Sequence, residues 1–107
     1  MPLNDPRTFP PLRSTYADDQ AISDILPLFL SNMPKYLGDL ESNIEHRDWT
    51  AAARVCHDLK GTSGGYGYPD IAKATQKLES ELKGGKDVES IMTYLDEVRT
   101  LCERARV

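Results

Sequence analysis

The chain has 107 residues, with 13 lysines and arginines against 17 aspartates and glutamates, for a formal net charge of −4. A chain of that length forms one domain with a single modest core, and its acidic balance argues against non-specific nucleic-acid binding, which needs a basic surface. The longest apolar run, Ile25 to Leu30, contains Pro27 and falls far short of the roughly 20 residues of a membrane span.

Residues 1–17 read as an N-terminal arm carrying Pro2, Pro6, Pro10 and Pro11. It is expected to be extended, packed on the rest through Phe9 or Leu12, or else disordered. Residues 18–107 read as the folded domain. Asp18 or Asp19 caps its first helix. Ile22, Ile25, Leu26, Phe29, Met33, Tyr36, Leu37, Leu40 and Ile44 then form one apolar stripe, with Leu28 off it and exposed. Pro27 and Pro34 project opposite the stripe, so the helix either bends around the core or breaks near Pro27 into a short extra helix.

Asp48 caps the next helix, whose core seam is Trp49, Ala52, Cys56, Leu59, Ser63 and Tyr66; it closes near Gly65 to Gly67, where glycine suits a left-handed residue. Tyr68 leads into Pro69, which suits a first helical turn. The third long helix buries Ile71, Ala74, Thr75, Leu78 and Leu82 and stops at Gly84 and Gly85. Asp87 caps the last, with a seam of Val88, Ile91, Met92, Leu95, Val98, Cys102 and Ala105. Short connections imply antiparallel neighbours. The expected fold is therefore all-α: an antiparallel up-down-up-down four-helix bundle with an extended N-terminal arm or short extra helix.

His57 does not belong to its helix's seam. At 100° per residue it points roughly 130° away, on a stripe with Thr50, Ala53, Lys60, Gly61 and Gly64. Gly65 lies about 100° further round than Gly64. Glycine costs about 1 kcal/mol against alanine inside a helix, so Gly61 and Gly64 call for a reason besides helix stability. Bare backbone beside an imidazole supplies one: something bulky approaches the ring. Counting along antiparallel neighbours brings Asn32 to Tyr36 on one side, and Leu78 and Glu79 on the other, level with His57.

The run His57-x-x-Lys60-Gly61-x-Ser63, followed by Gly67, Ile71-Ala72 and Leu78-Glu79, resembles a histidine-containing phosphotransfer (HPt) domain. As hydrophobic spacing the resemblance runs from about Ile22 to the C-terminus. It implies a phosphorelay carrier. His57 would accept a phosphoryl group from the phospho-aspartate of a receiver domain and pass it to a response-regulator aspartate, with a hybrid histidine kinase as a further partner. It implies no cofactor of the chain's own, Mg²⁺ being expected on the receiver domain. No autonomous kinase or ATPase activity is expected, since no glycine-rich phosphate loop after a strand is present, nor any strand.

The residues suit that chemistry. A histidine's ordinary pKa of about 6.5 leaves a neutral ring nitrogen near neutral pH. Lys60, one turn on, offers charge to a phosphoryl group. The non-reacting nitrogen needs an acceptor, and Glu79 is the candidate, at a position where the resembled family commonly has Gln or Glu; it could instead pair with Lys83 at i+4. Gly61, Gly64 and Ala53, with Asn32 and Tyr36, form the expected docking face. His46 sits in a connection without partners. Cys56 points inward and His57 outward, so these with His46 and Cys102 make a poor zinc set. The cysteines are expected as two buried, reduced thiols in a cytoplasmic monomer, with no secretory signal and no membrane contact. A non-phosphorylated adaptor or inhibitor that binds a receiver or kinase is the alternative. A hydrolase using His57 is a third reading, but lacks a second catalytic group apart from Glu79.

Overall fold

A computed structural model describes residues 11–106; the expected packing of Phe9 lies outside the described residues. The structure is all-helical apart from one pair of two-residue strands: β1 (Leu12–Arg13), α1 (Gln20–Ser23), α2 (Leu26–Glu45), α3 (Trp49–Gly65), α4 (Pro69–Lys83), α5 (Val88–Arg104) and β2 (Ala105–Arg106).

The caps follow side-chain chemistry. Asp19 accepts from the Ala21 amide, Asp48 from Ala51 and Asp87 from Ser90, each satisfying a donor with no partner inside its helix. Of the two readings for Pro27, the break is the one observed. Ile25 is the N-cap of α2 and Pro27 lies in its first turn, where a missing N–H costs nothing. Pro34 stays inside α2 with its ring exposed. Ile25, assigned to the apolar stripe, is 42% exposed because it falls between the two helices.

The core comprises Leu26, Phe29, Met33, Leu40 and Ile44 of α2, the Ala52, Cys56 and Leu59 seam of α3, Ile71, Ala74, Leu78 and Leu82 of α4, and Ile91, Leu95 and Val98 of α5. Val88 and Met92 depart from the expected seam, being 39% and 48% exposed. At 100° per residue Met92 lies about 90° from the centre of the buried α5 stripe, and Val88 about 50°. Both wall a surface groove against Ile44 of α2.

Two departures are non-local. The sequence reading held no strand; in the structure Leu12 and Arg13 pair in parallel with Ala105 and Arg106. The described part of the arm is thereby tied to the bundle, with Leu12 packed against the core. It is also tied at the α3–α4 turn. The Thr15 amide donates to Gly67 O at 2.7 Å, and Ser14 Oγ to Tyr66 O at 2.5 Å. Gly67 has φ +85°, and a Cβ there would lie 2.5 Å from Ser14 Oγ; both backbone conformation and arm contact demand glycine. Tyr68, read only as a lead into Pro69, is fully buried, stacks on Phe29 with ring centroids 5.5 Å apart, and donates its hydroxyl to Arg106 O at 2.7 Å.

Candidate functional site

α3 and α4 pack most closely of all the helices, and small residues make this feasible. Ala52, Ala53, Cys56 and Ser63 are buried on α3, and Ala74 and Thr75 on α4. A Cβ on Gly64 would meet Ala72 Cβ at 3.8 Å. The flank of α3 between its seam and His57, carrying Ala53, Lys60 and Gly64, is therefore the flank that α4 approaches. His57 stands at its outer margin.

His57 projects into solvent, its side chain 69% exposed, with Nδ1 3.4 Å from Oε2 of Glu79. Glu79 lies on the flank of α4, as its helical position indicates. It is not surface-exposed, however, but 2% exposed, because α3 covers that flank. Its Oε1 accepts from Lys60 Nζ at 2.7 Å, and Lys60 also donates to Gln76 Oε1 at 2.8 Å. Lys83 Nζ stands 3.2 Å from Oε2, yet that oxygen is buried without an aligned hydrogen bond among the described residues. Glu79 thus meets both the imidazole and Lys83, contacts that the sequence posed as alternatives.

Burial pushes the pKa of Glu79 up, but the Lys60 hydrogen bond and the positive charges of Lys60 and Lys83 outweigh it and hold the carboxyl below its ordinary value of 4.5. Glu79 is an anion at neutral pH, an acceptor for a ring N–H and a counter-charge to a ring cation. The neighbouring Cys56 thiol is pushed up to about 12 by burial and then by the charge of Glu79. It stays protonated and is no nucleophile.

Two depressions flank the imidazole. One is lined by Tyr36, Asp58, Gly61, Thr62, Gly65 and Tyr66 together with His57. A Cβ on Gly61 or Gly65 would meet nothing within 4 Å. Here the sequence reading needs correcting. Gly65, expected to point away from His57, shares the depression with it, and Gly64 is exposed too, on the side where an added Cβ would make ordinary contact with Ala72 Cβ at 3.8 Å. Ala53, expected on an open face, is buried, only 5% exposed. Tyr36 and Asp58 line this depression and also an adjoining hollow that Asn32 borders. The other depression, between α3 and the end of α4, brings Arg47, Arg54, Lys83 and Lys86 to His57 and Glu79. Sequence reasoning missed Arg47, Arg54 and Lys86, and gave Lys83 only as an alternative partner of Glu79. Two of them, Arg47 and Lys86, sit in loops at positive φ, and only the closure of the bundle brings them together. His46 is exposed at the end of α2, where its Nδ1 meets Ser42 O at 2.7 Å. Among the described residues no group of three or more His, Cys, Asp or Glu could hold a metal ion, and no helix is long and apolar enough to cross a membrane.

No curated protein and no solved structure matches the chain. A family model described as the Hpt domain matches residues 24–107, a span that contains α2 to α5, His57, Lys60 and Glu79. The match covers most of the chain and the whole site, and the chain belongs to the Hpt domain family.

Proposed function

We propose that the protein is a phosphorelay carrier whose phosphorylated residue is His57. Hpt domains serve phosphotransfer in two-component signalling and interact there with receiver domains and kinases. The observation that carries the assignment to His57 is its pairing with Glu79. An exposed imidazole holds Nδ1 3.4 Å from a buried carboxylate oxygen, an ion-pair distance rather than an aligned hydrogen bond, and that oxygen has no other hydrogen-bond partner among the described residues. That oxygen selects the tautomer with the proton on Nδ1 and leaves the Nε2 lone pair as the nucleophile.

In the proposed reaction Nε2 attacks the phosphorus of a receiver's aspartyl phosphate. The N–P bond forms, the P–O bond breaks, and its electron pair leaves with the aspartate carboxylate. Nδ1 keeps its proton, so the ring becomes a cation that Glu79 stabilises from below while Lys60 turns to the phosphoryl oxygens. The reverse sequence delivers the group to a regulator aspartate. Mg²⁺ belongs to the receiver. Gly61 and Gly65 leave the backbone beside His57 bare for its approach, with Tyr36 at the border of the same depression.

The architecture that goes with this reading has α2 to α5 in antiparallel up-down-up-down order, joined by loops 46–48, 66–68 and 84–87, with residues 1–17 as an arm on residues 18–107. A cytoplasmic monomer is part of the proposal; the free, buried Cys56 and Cys102 support a reducing compartment. The test is incubation with a phosphorylated receiver domain. Acid-labile, base-stable phosphate on His57 is the expected product. Receiver binding with no phosphate uptake would make the protein an adaptor instead.

A further inference from the structure

Glu79 is a buried carboxylate held by two lysines, and the reaction above uses only one of them. Lys60 Nζ is 2.7 Å from Oε1, and Lys83 Nζ is 3.2 Å from Oε2. The two differ in setting. Lys60 reaches across from α3 and is mostly covered. Lys83 follows Glu79 by one turn of α4, is 63% exposed, and lines the groove that also holds His57.

A carboxylate this deeply buried is strongly disfavoured without a cation beside it. To meet a phosphoryl group on His57, Lys60 must loosen its bond to Oε1. If Lys60 were the sole partner, that movement would strand Glu79. We infer that Lys83 is the reserve counter-ion of Glu79, keeping the buried carboxylate paired while Lys60 passes to the phosphoryl group on His57. The inference rests on the carrier reading.

The charges are consistent with it. With a neutral imidazole, Glu79, Lys60 and Lys83 together carry one net positive charge. Transfer turns the ring into a cation bearing a dianionic phosphoryl group, and the four groups then sum to zero. Without Lys83 the same step would run from zero to one net negative charge. Lys60 would be held between two anions, each needing it. Lys83 acts through Glu79 and is a positioning residue.

Phosphoramidate, which gives its phosphoryl group to histidine with ammonia leaving, allows a test on the full chain without a partner. The rate of phosphate uptake on His57 is read by intact mass. Lys83→Met is expected to slow uptake about fivefold, the scale of one partly exposed ion pair. Lys83→Arg should restore most of the rate. In a Glu79→Gln background, where no buried charge needs pairing, Lys83→Met should change nothing. Phosphorylation should also shift the Lys60 amine resonance in the unaltered chain and leave it in place in Lys83→Met. Uptake by Lys83→Met at the parental rate overturns the inference. So does an undiminished loss in the Glu79→Gln background, which would put Lys83 on the phosphoryl group directly. So does a failure of Lys83→Arg to rescue. An unaltered chain that takes up no phosphate on His57 refutes the carrier reading itself; uptake indifferent to Lys83 refutes only the reserve counter-ion.

Discussion

His57 Nδ1 lies 3.4 Å from Oε2 of Glu79, with the imidazole 69% exposed and the carboxylate side chain 3% exposed. The reactive ring stands in solvent while its anchor is fixed in the α3–α4 interface. Solvent access and orientation, which usually compete, are thereby assigned to different residues.

His57→Gln is expected to abolish phosphate uptake and leave helical content and melting temperature nearly unchanged, since the side chain is exposed. His46→Gln should transfer normally. Uptake that survives in His57→Gln, read by acid-labile phosphate after alkaline quench, would remove His57 from the mechanism.

Lys60→Ala is expected to slow transfer without preventing receiver binding, because it removes charge stabilisation of the phosphoryl group and little surface. It also deprives Glu79 of its aligned hydrogen bond, so stability should fall by about 1 kcal/mol, limited by the remaining Lys83. Rapid-quench rates and urea midpoints measured on the same samples separate the two effects.

Glu79→Gln is expected to slow uptake about tenfold, because an amide oxygen keeps an acceptor near Nδ1 but no longer offsets a ring cation. It should also change the acid limb of stability. The folded-state pKa of Glu79 is lowered by its lysines from an ordinary 4.5. Its stabilising contribution is therefore complete above about pH 4.5 and lost as pH falls through the lower folded value. A series of melting curves from neutral to acid pH should be flatter below 4.5 for Glu79→Gln than for the parent; identical slopes would contradict the assignment.

Gly61→Gln and Gly65→Gln should both fold, since a side chain at either position meets open space. Stability should rise by about half a kcal/mol, as glutamine is the better helix former. Both should slow transfer from a receiver while leaving uptake from phosphoramidate intact, because they hold the partner's backbone away without touching the ring. Gly64→Ala should be tolerated in transfer and folding alike, since its Cβ makes ordinary contact with Ala72. Normal receiver transfer in both Gly61→Gln and Gly65→Gln would move the docking face elsewhere.

Gly67→Ala should destabilise the fold by at least about 1–2 kcal/mol, the cost of a left-handed residue with a Cβ. The same Cβ would also strike Ser14, Thr15 and Tyr16, so the arm should detach. Faster proteolysis after Arg13 together with a lower urea midpoint is the expected pair of results; a lower midpoint with the arm still protected would mean that the arm docks independently of the turn.

Helices and caps were legible in the sequence because both depend on neighbours within a turn. Apolar spacing marked the faces of α2, α3 and α4, and Asp19, Asp48 and Asp87 marked the starts of α1, α3 and α5. Misplacements arose where a stripe ran wider than the surface its neighbours could cover, as with Val88 and Met92 on α5, or where a helix broke, as at Ile25. Tyr68 and β1 were invisible for a different reason: the partners of both lie at the far end of the chain, at Ala105 and Arg106.

The sequence by itself determined that one histidine stands on a flank of its helix, with a lysine one turn on and glycines beside it. Angular position on a helix needs only the count of residues. Tertiary structure alone decided what that flank touches. The small residues of α3 and α4 let the two helices close together. That approach buried Glu79 and left Gly61, Gly64 and Gly65 exposed. It also set one carboxylate between His57, Lys60 and Lys83. The distance between two helices is a property of their packed surfaces, and no periodicity within either helix encodes it.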